Sequence, residues 1–170
     1  MPSQSSFPNA PRELLRTQQV FLSYAARHVH KFDLTLPQFD VIITLGTSPG
    51  MPPKKLGEKT LITKGTLTGV INRLEYKGLV QRVVSKKDGR SQNIRLTDAG
   101  SELYDSVFPE HLNYIHRIFK DYLEEDFMAL EAVLLRLRKA VVAARCRSSG
   151  ELVDENTGWC TKIKGVCKHY

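Results

Sequence analysis

The stretch TKGTLTGVINRLEYKG, residues 63–78, constrains the fold more than any other segment. Leu67, Val70, Ile71 and Leu74 stand at i, i+3, i+4 and i+7, the spacing of one buried helix face. Thr63 stands where an N-cap belongs and Gly78 where such a helix ends. At about 100° per residue, the side opposite the apolar stripe carries Gly65, Gly69 and Asn72, flanked by Thr66, Thr68 and Arg73. Glycine costs about 1 kcal/mol against alanine inside a helix, so two of them on a solvated face are a poor choice. They suit a helix that lies deep in a groove. There threonine and asparagine can touch base edges, and Arg73 can reach a guanine or a phosphate. The competing reading is a tolerated glycine on a wet helix.

The residues after that helix agree with the groove reading. LVQRVVS and SQNIRLT are short strand candidates joined by KKDGR, a hairpin loop with glycine in the turn. Placed beside the helix, the hairpin tip reaches the adjacent minor groove, whose negative potential suits Arg90. Asp88, two residues away, can pair with the guanidinium and set its direction; the competing reading is a surface salt bridge in a turn. Lys86 and Lys87 are placed for phosphates, which supply affinity without sequence information. Charge is concentrated in the same region: between Met51 and Asp98 stand eleven Lys/Arg and four Asp/Glu, so this window carries the whole net charge of +7. A basic block in an otherwise neutral chain points to a polyanionic partner.

The rest of the chain reads as mostly helical. Residues 1–10, rich in Ser and Pro, are expected to be disordered. A helix begins near Pro11, with Leu15, Leu22, Ala25, Ala26 and Val29 mostly on one face, and Pro37 opens a second with Phe39, Val41, Ile42 and Leu45. A short basic helix spans about Pro53–Lys59, with Leu56 inward. Thr97 or Asp98 caps a helix running to about Tyr122, with a kink or break at Pro109. From Asp126 to Ala144, Phe127, Leu130, Leu134, Leu137 and Val141 form a narrow seam typical of helix–helix packing. The first and last helices leave apolar surface to cover, which favours a dimer interface over an ordinary bundle.

The order short helix, turn, capped helix, strand, basic loop, strand is that of a winged helix-turn-helix. The motifs NRLEYKGLVQR and DGRSQNIRLTDAG strongly resemble those of the MarR family of winged-helix transcription regulators. That family's wing signature reads here as Asp88, Arg90, Ile94, Leu96, Thr97 and Gly100. LTLPQFDVIITL resembles the family's second helix. The resemblance covers roughly residues 11–145 and is most specific in 34–100. It implies a mainly α fold with a small β-wing: a winged helix-turn-helix lobe, 37–99, and a helical dimerisation region, 11–36 and 100–145. After Cys146 the composition turns polar and poorly periodic, which marks off a non-helical, cysteine-containing tail, 146–170. It further implies a homodimer on a pseudo-palindromic double-stranded DNA operator. The recognition-helix set becomes Lys64, Gly65, Thr66, Thr68, Gly69, Asn72 and Arg73, and the wing set Lys86, Lys87, Asp88 and Arg90. Gly65 and Gly69 depart from the family pattern, so no operator sequence carries over.

Many members of the family bind a small aromatic effector between the dimer helices and the lobes. Tyr24, His28, Phe32 and His116 are the candidates by position, and each also suits a core or interface role. All three cysteines, Cys146, Cys160 and Cys167, lie at the end with His169 close behind. Their spacing matches no common iron–sulfur or zinc-finger pattern. An iron–sulfur cluster, a zinc site with His169, an intersubunit disulfide switch and unligated thiols in a disordered tail all stay open. A nucleophile elbow, a phosphate-binding glycine loop and a zinc-protease helix are absent from the sequence, so an enzyme is not expected. With no apolar run of membrane-spanning length and no signal-peptide pattern at the start, the expectation is a cytoplasmic protein without membrane association.

Overall fold

The computed structural model describes residues 9–60, 62–84, 92–149, 152–153 and 160–161. The chain divides into two compact units, Met1–Ile118 and Phe119–Tyr170. The first holds α1 (Asn9–Val29), α2 (Leu36–Gly46), α3 (Pro53–Lys59), α4 (Lys64–Tyr76), β1 (Val80–Val84), β2 (Gln92–Leu96) and α5 (Asp98–His116). The second holds α6 (Glu124–Ser149) and the two-residue strands β3 (Leu152–Val153) and β4 (Cys160–Thr161). The expected fold class, mainly helical with a small β-wing, is what the structure has.

The ends of the elements follow local chemistry. Thr35 caps α2 in a full capping box: its hydroxyl accepts from the Gln38 N–H at 3.4 Å, and the Gln38 side chain accepts from the Thr35 N–H at 2.9 Å. Thr97 caps α5 by accepting from the Gly100 N–H at 3.0 Å, and its own hydroxyl donates to the Gly78 carbonyl at 2.6 Å. Gly78 has φ +72° and ends α4 in a Schellman turn. Its N–H bonds to the Glu75 carbonyl at 2.9 Å, and the Leu79 N–H bonds to that of Leu74 at 2.9 Å. This turn sends the chain directly into β1.

Two expectations need correction here. Helix α5 runs unbroken through Pro109 but ends at His116, and a 3₁₀ turn, Arg117–Phe119, follows it. Pro109 lies on the exposed side of the helix, so the carbonyl it leaves without a partner is on the solvent side. Helix α6 runs from Glu124 to Ser149 rather than stopping near Ala144, so Cys146 belongs to a helix and not to a non-helical tail.

One core organises the first unit. Val29 of α1, Leu34, Phe39, Val41, Ile42 and Leu45 of α2, Leu56 of α3, the apolar stripe of α4, Val80 and Ile94 of the hairpin and Val107 of α5 are all buried together. β1 and β2 are antiparallel, with Val80 opposite Leu96 and Val84 opposite Gln92. Met51 pairs with Ile94 through two backbone hydrogen bonds of 3.0 and 2.8 Å, which pins the turn after α2 to the hairpin. The hairpin, α3 and α4 therefore share one foundation, and the outward side of α4 is set by what its inward side buries. In the second unit β3 and β4 pair antiparallel, Leu152 opposite Thr161.

Candidate nucleic-acid interface

Helix α4 buries Leu67, Val70, Ile71 and Leu74. Gly65, Thr66, Thr68, Gly69, Asn72 and Arg73 are all exposed. A side chain added at Gly65 or Gly69 would meet nothing within 4 Å, so this strip of the helix is bare backbone open to the outside. Lys64 opens the helix. Thr63 holds the N-cap position, but its side chain makes no capping bond. Its hydroxyl lies 3.0 Å from that of Thr66 instead, both exposed.

One more residue belongs to this face. Tyr76 is 94% exposed and stands four residues beyond Asn72, on the same side as Gly65 and Gly69. A large ring left almost wholly in water on a helix otherwise lined by small groups is unusual. Extending the helical wheel by one turn would have found it. Lys54, Lys55 and Lys59 of α3 are exposed as well, adding positive charge beside α4.

The C-terminal end of α4 is tied down by ion pairs. Lys77 donates to the carbonyl and, at 2.6 Å, to the carboxylate of Asp33, which sits at φ +55° in the turn after α1. Hydrogen bonding to Lys77, and then its charge, hold the Asp33 carboxyl below the ordinary carboxylate range. Arg82 of β1 donates through Nη1 to the Glu75 carboxylate and through Nη2 to Asn72 Oδ1 at 2.6 Å. The hairpin thus grips the outward face of α4 itself. No local pattern in the sequence announces this contact.

Lys86, Lys87, Asp88 and Arg90 lie outside the described residues. The flanking strands are described, with Val84 opposite Gln92.

The proposed effector residues only partly converge. Tyr24 stacks on Tyr114, ring centroids 4.4 Å apart, and donates its phenol to the Tyr114 carbonyl at 3.2 Å. His28 stacks on Tyr114 at 4.5 Å and lies 5.2 Å from the Phe32 ring. The cluster is completed by His111, not His116: His111 is buried against His28 and Phe39, whereas His116 is exposed at the end of α5. Glu110 accepts from His28 Nε2 at 3.2 Å, and His28 Nδ1 faces His111 Nδ1 at 3.2 Å. A carboxylate only accepts, so neutral His28 carries its proton on Nε2 and His111 donates from Nδ1; this tautomer is assigned from the network. Burial, and then the neighbouring His28, push the His111 pKa down.

Cys146 is buried and disulfide-bonded, so it offers no thiolate to iron or zinc in this structure. The side chains of Cys160, Cys167 and His169 lie outside the described residues. Among the described residues, no group of three or more His, Cys, Asp or Glu side chains could hold a metal ion, and no helix is long and apolar enough to cross a membrane.

Comparison with known proteins agrees with this geometry. Residues 34–92 match the model of the MarR family. The HTH-type transcriptional regulator PecS of Dickeya dadantii is 34% identical over 118 residues, covering 68% of this chain and 71% of PecS. Among solved structures, AbsC, a MarR-family transcriptional regulator from Streptomyces coelicolor, is 27% identical with a TM-score of 0.71, over 78% of this chain and 91% of AbsC. MepR of S. aureus, solved as a complex with DNA, shares the fold at 20% identity, with a TM-score of 0.70 over 78% of this chain and 98% of MepR. The chain belongs to the MarR family of DNA-binding transcription regulators.

Proposed function

We propose that the protein is a homodimeric, sequence-specific regulator that reads a pseudo-palindromic operator and changes its affinity in response to a signal. The observation that carries the DNA reading is the outward side of α4, where Gly65 and Gly69 leave bare backbone between exposed Thr66, Thr68, Asn72 and Arg73. Bare backbone lets the helix axis approach base pairs closely. The flanking threonines, Asn72 and Arg73 then read edges, and Lys64 meets phosphate at the helix start. Arg90, steered by Asp88, enters the neighbouring minor groove, while Lys86 and Lys87 take phosphates. MepR was solved on DNA, and the shared fold supports the same docking here.

The homodimer is supported by the surfaces left uncovered. Leu15, Val20 and Leu22 are exposed on α1, and Met128, Val133, Leu134, Leu137 and Val141 on α6. Apolar stripes of this extent mark an interface between chains. The cluster of Tyr24, His28, Phe32 and His111 is the place where a small aromatic effector would bias the dimer between two conformations.

Selection from randomised double-stranded DNA tests this reading. The expected product is an inverted repeat with half-sites about 10 base pairs apart centre to centre. Arg73→Ala and Arg90→Ala should each weaken binding by about 1–3 kcal/mol, with Arg90→Ala also reducing the salt dependence. Equal affinity of Arg90→Ala and the parent protein for the selected site would remove the wing from the interface.

A further inference from the structure

Arg82 sits in β1, yet its guanidinium is spent on α4. Nη2 donates to Asn72 Oδ1 at 2.6 Å, at the exposed surface, and Nη1 to Glu75, with the Arg82 and Glu75 side chains both partly buried. A guanidinium has only N–H donors. The end of the Asn72 amide that faces it must therefore be the oxygen, and the flip of this amide is settled by chemistry rather than chosen. The oxygen is turned towards Arg82, and the amino group, with both hydrogens, is left for whatever lies against α4. Asn72 itself is exposed, on the same side of the helix as the bare strip at Gly65 and Gly69.

A free asparagine is an ambidextrous reader. Rotated about its last torsion, it offers a donor to one base and an acceptor to another, and it binds adenine by offering both. Held by Arg82, it loses that choice. We propose that Arg82 is a positioning residue that turns Asn72 into a donor-only reader of one base edge in the major groove. The edge it accepts presents an acceptor: O6 or N7 of guanine, O4 of thymine, or N7 of adenine. The edge it rejects presents only an amino group, N4 of cytosine, and at adenine the N6 amino group would face the Asn72 amino group donor to donor, leaving N7 alone to accept. Glu75 is the second half of the device, because it fixes the guanidinium from the other side. The specificity of one operator position is then set from the hairpin, by a residue that touches no DNA. The orientation is held before DNA arrives, so its ordering cost does not fall on binding.

This inference rests on the regulator reading above, and the test separates the two. Selection from a randomised duplex pool is run with the parent protein, Asn72→Ala, Arg82→Ala, Arg82→Lys and Asn72→Asp, and thermal stability is recorded for each. The parent should enrich a repeat with one position per half-site that favours an acceptor edge by about tenfold or more. Asn72→Ala should erase that preference and leave the other positions intact. Arg82→Ala should reduce it to within about twofold at the same position only, and Arg82→Lys, still a pure donor, should restore part of it. Asn72→Asp keeps an oxygen for Arg82 and is isosteric, so it reports even if Arg82→Ala folds poorly. It presents an acceptor outward, and the preference should move to an amino edge. An Arg82→Ala protein that binds every sequence more weakly but keeps the full preference would overturn the proposal, as would an Asn72→Ala protein with unchanged preferences. A parent protein that enriches no sequence would bring down the regulator reading and this proposal together.

Discussion

Helix α4 hides four apolar side chains and shows glycine, threonine and asparagine to the outside. Helix α6 does the reverse. It exposes leucine and valine along most of its length, and among its described side chains only Cys146 is buried. Exposure has a different meaning in each place. On α4 the core contacts are complete and the exposed side is polar, so what it lacks is a hydrated, hydrogen-bonding partner such as DNA. On α6 the exposed side is oily, so what it lacks is more protein. The core of α2 to β2 is completed by α1 and α5, whereas the described side chains of α6 bury little, which is what the proposed second copy would cover.

The largest expected effect comes from breaking the apolar side of this comparison. Leu134→Glu with Leu137→Glu puts two carboxylates on the α6 seam. The protein should sediment as a monomer, and affinity for the selected operator should fall by about 100-fold or more through loss of avidity. A variant that stays dimeric would move the interface off α6. A smaller effect sharpens the side of it that is already packed, where His111 is buried between α1, α2 and α5. Its folded pKa is depressed from the ordinary value of 6.5, so the unfolded chain binds the proton more readily. The stability that neutral His111 contributes is complete above about pH 6.5 and is lost as pH falls below it towards the folded value. Glu110 beside His28, Arg117, 5.9 Å from the Tyr114 ring centroid, and Arg27, whose charge acts on Tyr24, are charged groups near the cluster. Melting temperatures measured from about pH 7.5 to about pH 5.5 should decline less steeply in His111→Phe. An identical slope in the variant would assign the dependence to other groups.

The parts of this fold visible in the sequence are those set by neighbouring residues. The α4 stripe is a spacing, and the Gly78 turn is a single residue that tolerates φ of +72°. The hairpin is two alternating runs around a loop. What stayed hidden depends on direction and distance. Val107, His111 and Tyr114 line one inward side of α5, while His116, two residues past Tyr114, points about 200° away from it. Choosing His116 required the phase of a helix whose inward side was not yet known. The end of α6 was misplaced because composition changes after Cys146, whereas the backbone continues to Ser149 and stops only before Gly150. The grip of Arg82 on Asn72 joins residues ten apart on different elements, and no periodicity encodes it.

The central claim is that Gly65 and Gly69 are there for close approach to DNA and not for the folded chain. Gly65→Ala with Gly69→Ala tests this directly, because a methyl at either site meets only open space in the free protein. Folding stability should hold or rise, by about 1 kcal/mol per site. Affinity for the selected operator should fall by about 1–3 kcal/mol, the cost of overfilling a close contact. A double variant that is as stable as the parent, or more so, and binds the operator equally well would contradict the account.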